Sequence, residues 1–147
     1  MSAGVIEPIA APVPIVPLYV DPSQVPNVEP LVISDDTPLD SFYQSAQSRL
    51  LVNALYASWT GPGEDRPWLA VSNVGLFFSP KVPPIVPDVM LSLDVRPGTD
   101  LRLKENNSYF AWILGKLPDL VIENVSNKEG HEDTAKLKEY SRLRIPY

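Results

Sequence analysis

The chain has no cysteine and one histidine, His131. The first absence excludes disulfides and thiolate metal sites and suits a reducing compartment. A single histidine cannot build a histidine-rich zinc site. Any metal centre would therefore be built mostly from oxygen, which favours magnesium, manganese or calcium. No apolar run approaches the roughly 20 residues that a membrane-spanning helix needs. The N-terminus lacks the basic segment of a signal peptide, and prolines break up its apolar stretch. A cytoplasmic protein is expected, so the two Asn-x-Ser sequons at Asn106 and Asn124 are discounted. Positive charge is also short: 12 Lys and Arg stand against 18 Asp and Glu, for a net charge of -6. Binding nucleic acid through bulk charge is excluded, and such contact would need a local basic patch or bound cations.

Proline is abundant instead. Seven of the 17 prolines fall in the first thirty residues, at Pro8, Pro12, Pro14, Pro17, Pro22, Pro26 and Pro30. Proline fixes φ and removes an amide donor, so neither a helix nor a central strand fits there. Residues 1–33 read as an extended proline-rich arm, rich in Val, Ile and Leu, that lies partly on the domain or on a second subunit. A homodimer formed through this arm is one expectation; a proline-motif ligand is another.

Residues 34–147 read as one domain with one core. Ser34, Asp35, Asp36 and Thr37 before Pro38 are a helix-start signal. Phe42, Tyr43, Ala46, Leu50, Ala54 and Leu55 recur at helical spacing and predict an amphipathic helix to about Trp59, stopped by Gly61-Pro62-Gly63. Strands are expected at Trp68 to Val71, Gly75 to Phe78, Val86 to Val95 and Tyr109 to Leu114, with a turn at Arg96 to Asp100. Leu120 to Val125 reads as a buried central strand, and Gly130 to Leu143 as a helix. The order predicts an α/β domain around a mixed central sheet flanked by helices. A further strand is expected after the last helix, beyond Tyr147.

Two carboxylates stand out. Asp88 heads the apolar strand Val89-Met90-Leu91, and Glu123 sits inside another apolar strand, with Leu120-Val121-Ile122. An ionised carboxylate in a core strand is costly unless it is paired or metal-bound. Two of them on neighbouring strands would hold a divalent cation, which would polarise a phosphate and acidify a bound water. The alternatives stay open at this point. Asp88 could begin its strand at the surface, and Glu123 could face solvent or pair with an arginine.

Pro87-Asp88-Val89, then Pro118-Asp119-Leu120-Val121-Ile122-Glu123-Asn124-Val125-Ser126-Asn127, then Asp133 to Tyr140 and the closing Arg144-Ile145-Pro146-Tyr147 resemble the Uma-type restriction endonuclease family of the PD-(D/E)XK superfamily. The resemblance covers residues 34–147 and rests on the order and spacing of these motifs. It implies a restriction-endonuclease-like fold and magnesium- or manganese-dependent hydrolysis of phosphodiester bonds, with DNA as the partner. Asp88 and Glu123 match the motif acids and would be metal ligands, with the backbone carbonyl of Asn124 as a third. The superfamily lysine normally lies two residues after the glutamate, and here that position is Val125. Lys136, on the following helix, is the matching lysine and would orient the attacking water or stabilise charge on the phosphate. Apart from the resemblance, Lys136 reads as a solvated residue paired with Glu132. The family continues past the Ile-Pro-Tyr segment into a strand that this sequence does not contain.

Members of the family place a glutamate or histidine on the first helix, where this chain offers Gln44 and Gln47; Gln47 would hydrogen-bond a metal-bound water or be ordinary helix surface. Lys128, Lys138, Arg142, Arg144, Lys81, Arg96, Arg102 and Lys104 would form a phosphate-binding rim or simply a solvated surface. His131 reads as a capping or surface residue, and Trp59, Trp68 and Trp112 read as core. The leading function is a metal-dependent DNA endonuclease with Asp88, Glu123 and Lys136 as catalytic residues. The alternative is a catalytically inactive nuclease-fold module for binding or oligomerisation. A two-carboxylate glycosidase ranks last, because nothing else suggests a sugar cleft.

Overall fold

The computed structural model describes residues 21–31, 42–124 and 132–147. The expected helix start at Ser34 to Pro38, together with Val125, Lys128 and His131, lies outside the described residues.

Helix α1 (Phe42–Ser58) is followed by three antiparallel strands, β1 (Trp68–Ser72), β3 (Val89–Leu93) and β5 (Leu120–Ile122), in the spatial order β1-β3-β5. A second, two-stranded parallel sheet joins β2 (Leu76–Phe77) to β4 (Tyr109–Phe110). The short helix α2 (Ala111–Leu114) follows β4, and helix α3 (Glu132–Arg142) follows β5. The expected mixed α/β class is observed.

Four expectations need correction. Tyr109 to Leu114 is not one strand: it leaves the sheet after Phe110, makes one helical turn, and stops at Gly115, whose φ of 82° only glycine adopts freely. Leu120 to Val125 is not a buried central strand. Its extended part covers three half-buried residues on the outside of the sheet, and β3 takes the centre. The Val121 amide, on the outer edge of β5, donates to the carbonyl of Tyr147 at 2.8 Å. The strand expected from Val86 begins only at Val89, because Pro87 cannot donate to a ladder, and Asp94, at φ 58°, ends it before Val95.

The fourth correction concerns α1. Phe42, Tyr43, Ala46, Leu50 and Ala54 are exposed, whereas Ser48 is buried and Leu51, Val52 and Leu55 are half-buried. The sequence offers two apolar stripes at helical spacing, and the sheet takes the one that contains Ser48. Tyr56 explains part of that choice. Its ring stacks on Trp68 at 4.6 Å, and its hydroxyl both accepts from the Ala70 amide and donates to the Ala70 carbonyl, at 3.1 Å each. The free edge of β1 is thereby partnered by the helix. Gly61 ends this unit where Trp68 leaves no room, since a Cβ there would lie 2.6 Å from the indole.

The two faces of the sheet have different neighbours. Ala70, Val89 and Leu91 belong to the face beneath α1. Leu69, Val71, Met90 and Val121 belong to the other face and pack with Leu76, Tyr109, Ala111 and Ile145. Val28 of the N-terminal arm inserts beside Phe77, Phe110 and Trp112. Residues 21–31 thus lie on their own domain, and an arm-driven homodimer would fall to residues 1–20, outside the described residues.

Tyr109 gives this core a pH signature. Its hydroxyl shares a 2.7 Å hydrogen bond with Ser92 and donates to the Lys116 carbonyl at 3.1 Å. Burial pushes its pKa from 10.0 up to about 12. The folded state therefore holds this proton more tightly than the unfolded chain does. The stabilisation is complete below pH 10 and is lost as the pH rises through about 12. It amounts to on the order of 3 kcal/mol. Thermal melting of wild type against Tyr109→Phe, followed from pH 9 to 12, is expected to show the phenylalanine variant less stable at the low end and the difference shrinking toward the high end.

Candidate active site

The antiparallel ladder between β3 and β5 ends at the pair Val89 and Ile122. One step further sets Asp88 beside Glu123. Residues directly opposite in such a ladder project from the same face, so both acids emerge on the side of Met90 and Val121, away from α1. A shift of one residue in either strand would have separated them. Both acids sit just beyond regular structure because Pro87 delays β3 and the ladder stops at Ile122.

Asp88 is buried, with 8% of its surface exposed. Its Oδ2 accepts the Asn124 backbone N–H at 2.5 Å, and its own carbonyl accepts the Asn73 N–H at 3.2 Å. Oδ1 takes no hydrogen bond among the described residues. Glu123 has both oxygens engaged from α3: the Tyr140 hydroxyl donates to Oε1 at 2.5 Å and the Lys136 ammonium to Oε2 at 3.1 Å. Lys136 also donates to the Val86 carbonyl at 3.0 Å. Lys136 and Tyr140 are one helical turn apart and share the inward stripe of α3 with the buried Leu143.

The electrostatics follow from this crowding. Burial is the main cause that raises the Glu123 pKa, and repulsion from Asp88 adds to it; the bonds from Tyr140 and Lys136 oppose the rise without cancelling it. The ionised carboxylate is therefore held at a cost that is absent in acid, below the unfolded pKa, and present above the raised folded one. Tyr140 is pushed upward by burial first and then by its bond to Glu123 and the charges of both acids, so it stays a neutral donor.

The structure thus brings Asp88, Glu123 and Lys136 together. Lys136 is half-buried and bonds Glu123 and the strand backbone, while the pairing with Glu132 falls on a side chain outside those described. Asn124 also belongs to the site. Its N–H is committed to Asp88 and its side-chain amide to Ser48, while its carbonyl takes no hydrogen bond among the described residues. Gln47 is spent on the hydroxyl of Tyr43 at 2.9 Å, one turn back along α1. Part of the expected basic rim is also engaged locally. Arg142 pairs with Glu139, Arg102 with Asp100, and Lys104 reaches the Glu29 carbonyl, while Lys138 and Arg144 are exposed on and just beyond α3. Trp112 is buried in the core, and Trp59 and Trp68 pack together at 5.1 Å.

Two residues went unread in the sequence. Tyr140 was signalled by its position four residues after Lys136, on the same helix face. Ser48 carries no signal, since a lone serine in a helical segment looks like helix surface. A cleft of about 260 Å³, lined by Leu69, Val71, Tyr109 and Leu114 among others, contains neither Asp88, Glu123 nor Lys136.

No family model, curated protein or solved structure matches this chain.

The donor set suits a hard divalent cation. It offers two carboxylates, one oxygen of which is uncommitted, and a peptide carbonyl beside them. No third acidic, histidine or cysteine side chain joins them among the described residues. Water and substrate oxygens would complete the shell, as is usual for magnesium.

Proposed function

We propose that this chain is a magnesium- or manganese-dependent endonuclease that hydrolyses DNA phosphodiester bonds, with Asp88, Glu123 and Lys136 at the reaction centre. The observation that carries the reading is that Asp88 and Glu123 stand side by side one step beyond the last ladder pair, close enough for their charges to interact, with the Lys136 ammonium on Glu123. The reading is supported by the mixed α/β order of a helix, three antiparallel strands and a helix, which is compatible with the arrangement that the Uma-type resemblance implies.

Asp88 Oδ1, the Glu123 carboxylate and the Asn124 carbonyl would hold the ion. When bound, it would supply a Lewis acid for the phosphate, a water of lowered pKa and a local reversal of the acidic charge that otherwise repels DNA. The chain's own residues supply positioning. Tyr140 holds Glu123 Oε1 in a fixed orientation. Lys136 carries the positive charge nearest the acids and has exposed surface of its own, so it can donate to a phosphate oxygen or to the attacking water. The Val86 carbonyl keeps that ammonium beside the strand end. The lysine missing at Val125 is thus replaced by one that approaches the same acids from α3.

The test is cleavage of supercoiled plasmid and of single-stranded DNA with magnesium, with manganese and with chelator. Cleavage that needs the ion supports the reading. An inert protein that still binds DNA would support the inactive nuclease-fold module instead.

A further inference from the structure

We propose that Ser48 is a positioning residue for the acidic pair, acting from α1 through Asn124. The inference rests on the metal-site reading above and adds to it a residue on the opposite side of the sheet.

Ser48 is fully buried on the inward stripe of α1, where Leu51, Val52 and Leu55 are its half-buried companions. Burial alone does not call for a hydroxyl there; an alanine would pack as well, and a buried polar group is costly unless bonded. Its Oγ accepts the side-chain amide of Asn124 at 3.1 Å. The backbone N–H of the same Asn124 donates to Asp88 Oδ2 at 2.5 Å. Two hydrogen bonds therefore run from the helix, through one residue, to the buried acid.

The place of Asn124 makes this link consequential. The ladder between β3 and β5 ends at Ile122, so no strand pairing fixes the backbone at residue 124. By alternation along the strand, Asn124 projects toward α1 while Glu123 projects toward α3. The amide that bonds Asp88 lies in the same peptide plane as the Glu123 carbonyl. Anchoring the Asn124 side chain on Ser48 therefore sets the rotation of a peptide shared by both halves of the site. It also sets the neighbouring Asn124 carbonyl, the third oxygen assigned to the ion. Each acid is thus oriented from a different helix: Glu123 by Tyr140 and Lys136 on α3, and Asp88 by Ser48 on α1. Outer partners of this kind typically alter metal affinity by about 10- to 100-fold when removed.

The experiment is a manganese titration of the full chain, with free Mn²⁺ read by electron paramagnetic resonance, for wild type, Ser48→Ala, Asn124→Ala, the double variant and Ser48→Thr. Thermal melting in chelator monitors the fold in parallel. Each alanine variant is expected to weaken Mn²⁺ binding by about 10-fold. The double variant is expected to be no weaker than the worse single one, because both cut one chain of bonds. Ser48→Thr, which keeps the hydroxyl, is expected to bind within about threefold of wild type. Wild-type affinity in Ser48→Ala, or losses that multiply in the double variant, overturn the proposal and leave the metal-site reading standing. Should Ser48→Ala fail to fold, Asn124→Ala at the half-buried strand end decides alone, and unchanged affinity there overturns it. Absence of Mn²⁺ binding by the wild-type chain overturns both readings.

Discussion

Asp88→Ala is expected to lower magnesium-dependent DNA cleavage by about 1,000-fold or more while leaving a folded protein. On the proposed reading, removing a ligand of the ion removes the Lewis acid and the acidified water together, a loss of several kcal/mol in the barrier, and about 1.4 kcal/mol corresponds to each factor of ten. The effect on folding is smaller because two contributions oppose each other. The Asn124 N–H loses its acceptor, a cost of about 1–3 kcal/mol if no water replaces it. Against this, Glu123 is freed from the repulsion that helps to raise its pKa, so its ionised form becomes easier to hold. Plasmid cleavage, read beside thermal melting in chelator, separates the two. A variant that melts near wild type and no longer cuts fits the account. A variant that cuts as well as wild type contradicts the assigned chemistry.

Lys136→Met is expected to lower the cleavage rate by about 100-fold at saturating metal, the usual scale for one charge-stabilising donor. Methionine keeps the unbranched stem and removes the ammonium that reaches Glu123 Oε2 and the Val86 carbonyl. That ammonium is positive, so its removal strengthens the field of the two acids on a second cation. Mn²⁺ affinity is therefore expected to hold or to tighten as the rate falls. This opposition distinguishes a residue acting on the reaction from one that merely holds the site together. Loss of Mn²⁺ binding together with activity would assign Lys136 a structural role, and unchanged cleavage would remove it from the reaction centre.

Where the chain's local chemistry was decisive, the sequence was legible. Pro87 before an apolar run placed Asp88 at a strand head, whereas Glu123 reads as part of a buried strand from Leu120 to Val125 and stands just past the end of the shorter β5. Lys136 was reached through resemblance alone, since composition favours a solvated lysine at any such position. The helices α1 and α3 were visible in their periodicity, but their orientation was not. α1 offers two apolar stripes, and only the sheet beneath it selects the stripe bearing Ser48 rather than the one bearing Tyr43 and Leu50. Tyr109 to Leu114 reads as a strand residue by residue, yet Gly115 permits the turn that folds Trp112 back against Phe110. The partnership of Ser48, Asn124 and Asp88 joins three separate elements. Such a link has no sequence period and becomes visible only when the sheet register is known.

The most direct measurement is a crystal structure of the chain grown with manganese, with the ion located by anomalous scattering. One peak is expected between Asp88 and Glu123, with oxygen ligands at about 2.1 Å and with Lys136 drawn away from Glu123 Oε2 by the incoming charge. Density elsewhere, or none at these acids while the metal binds the protein in solution, would contradict the metal-site reading.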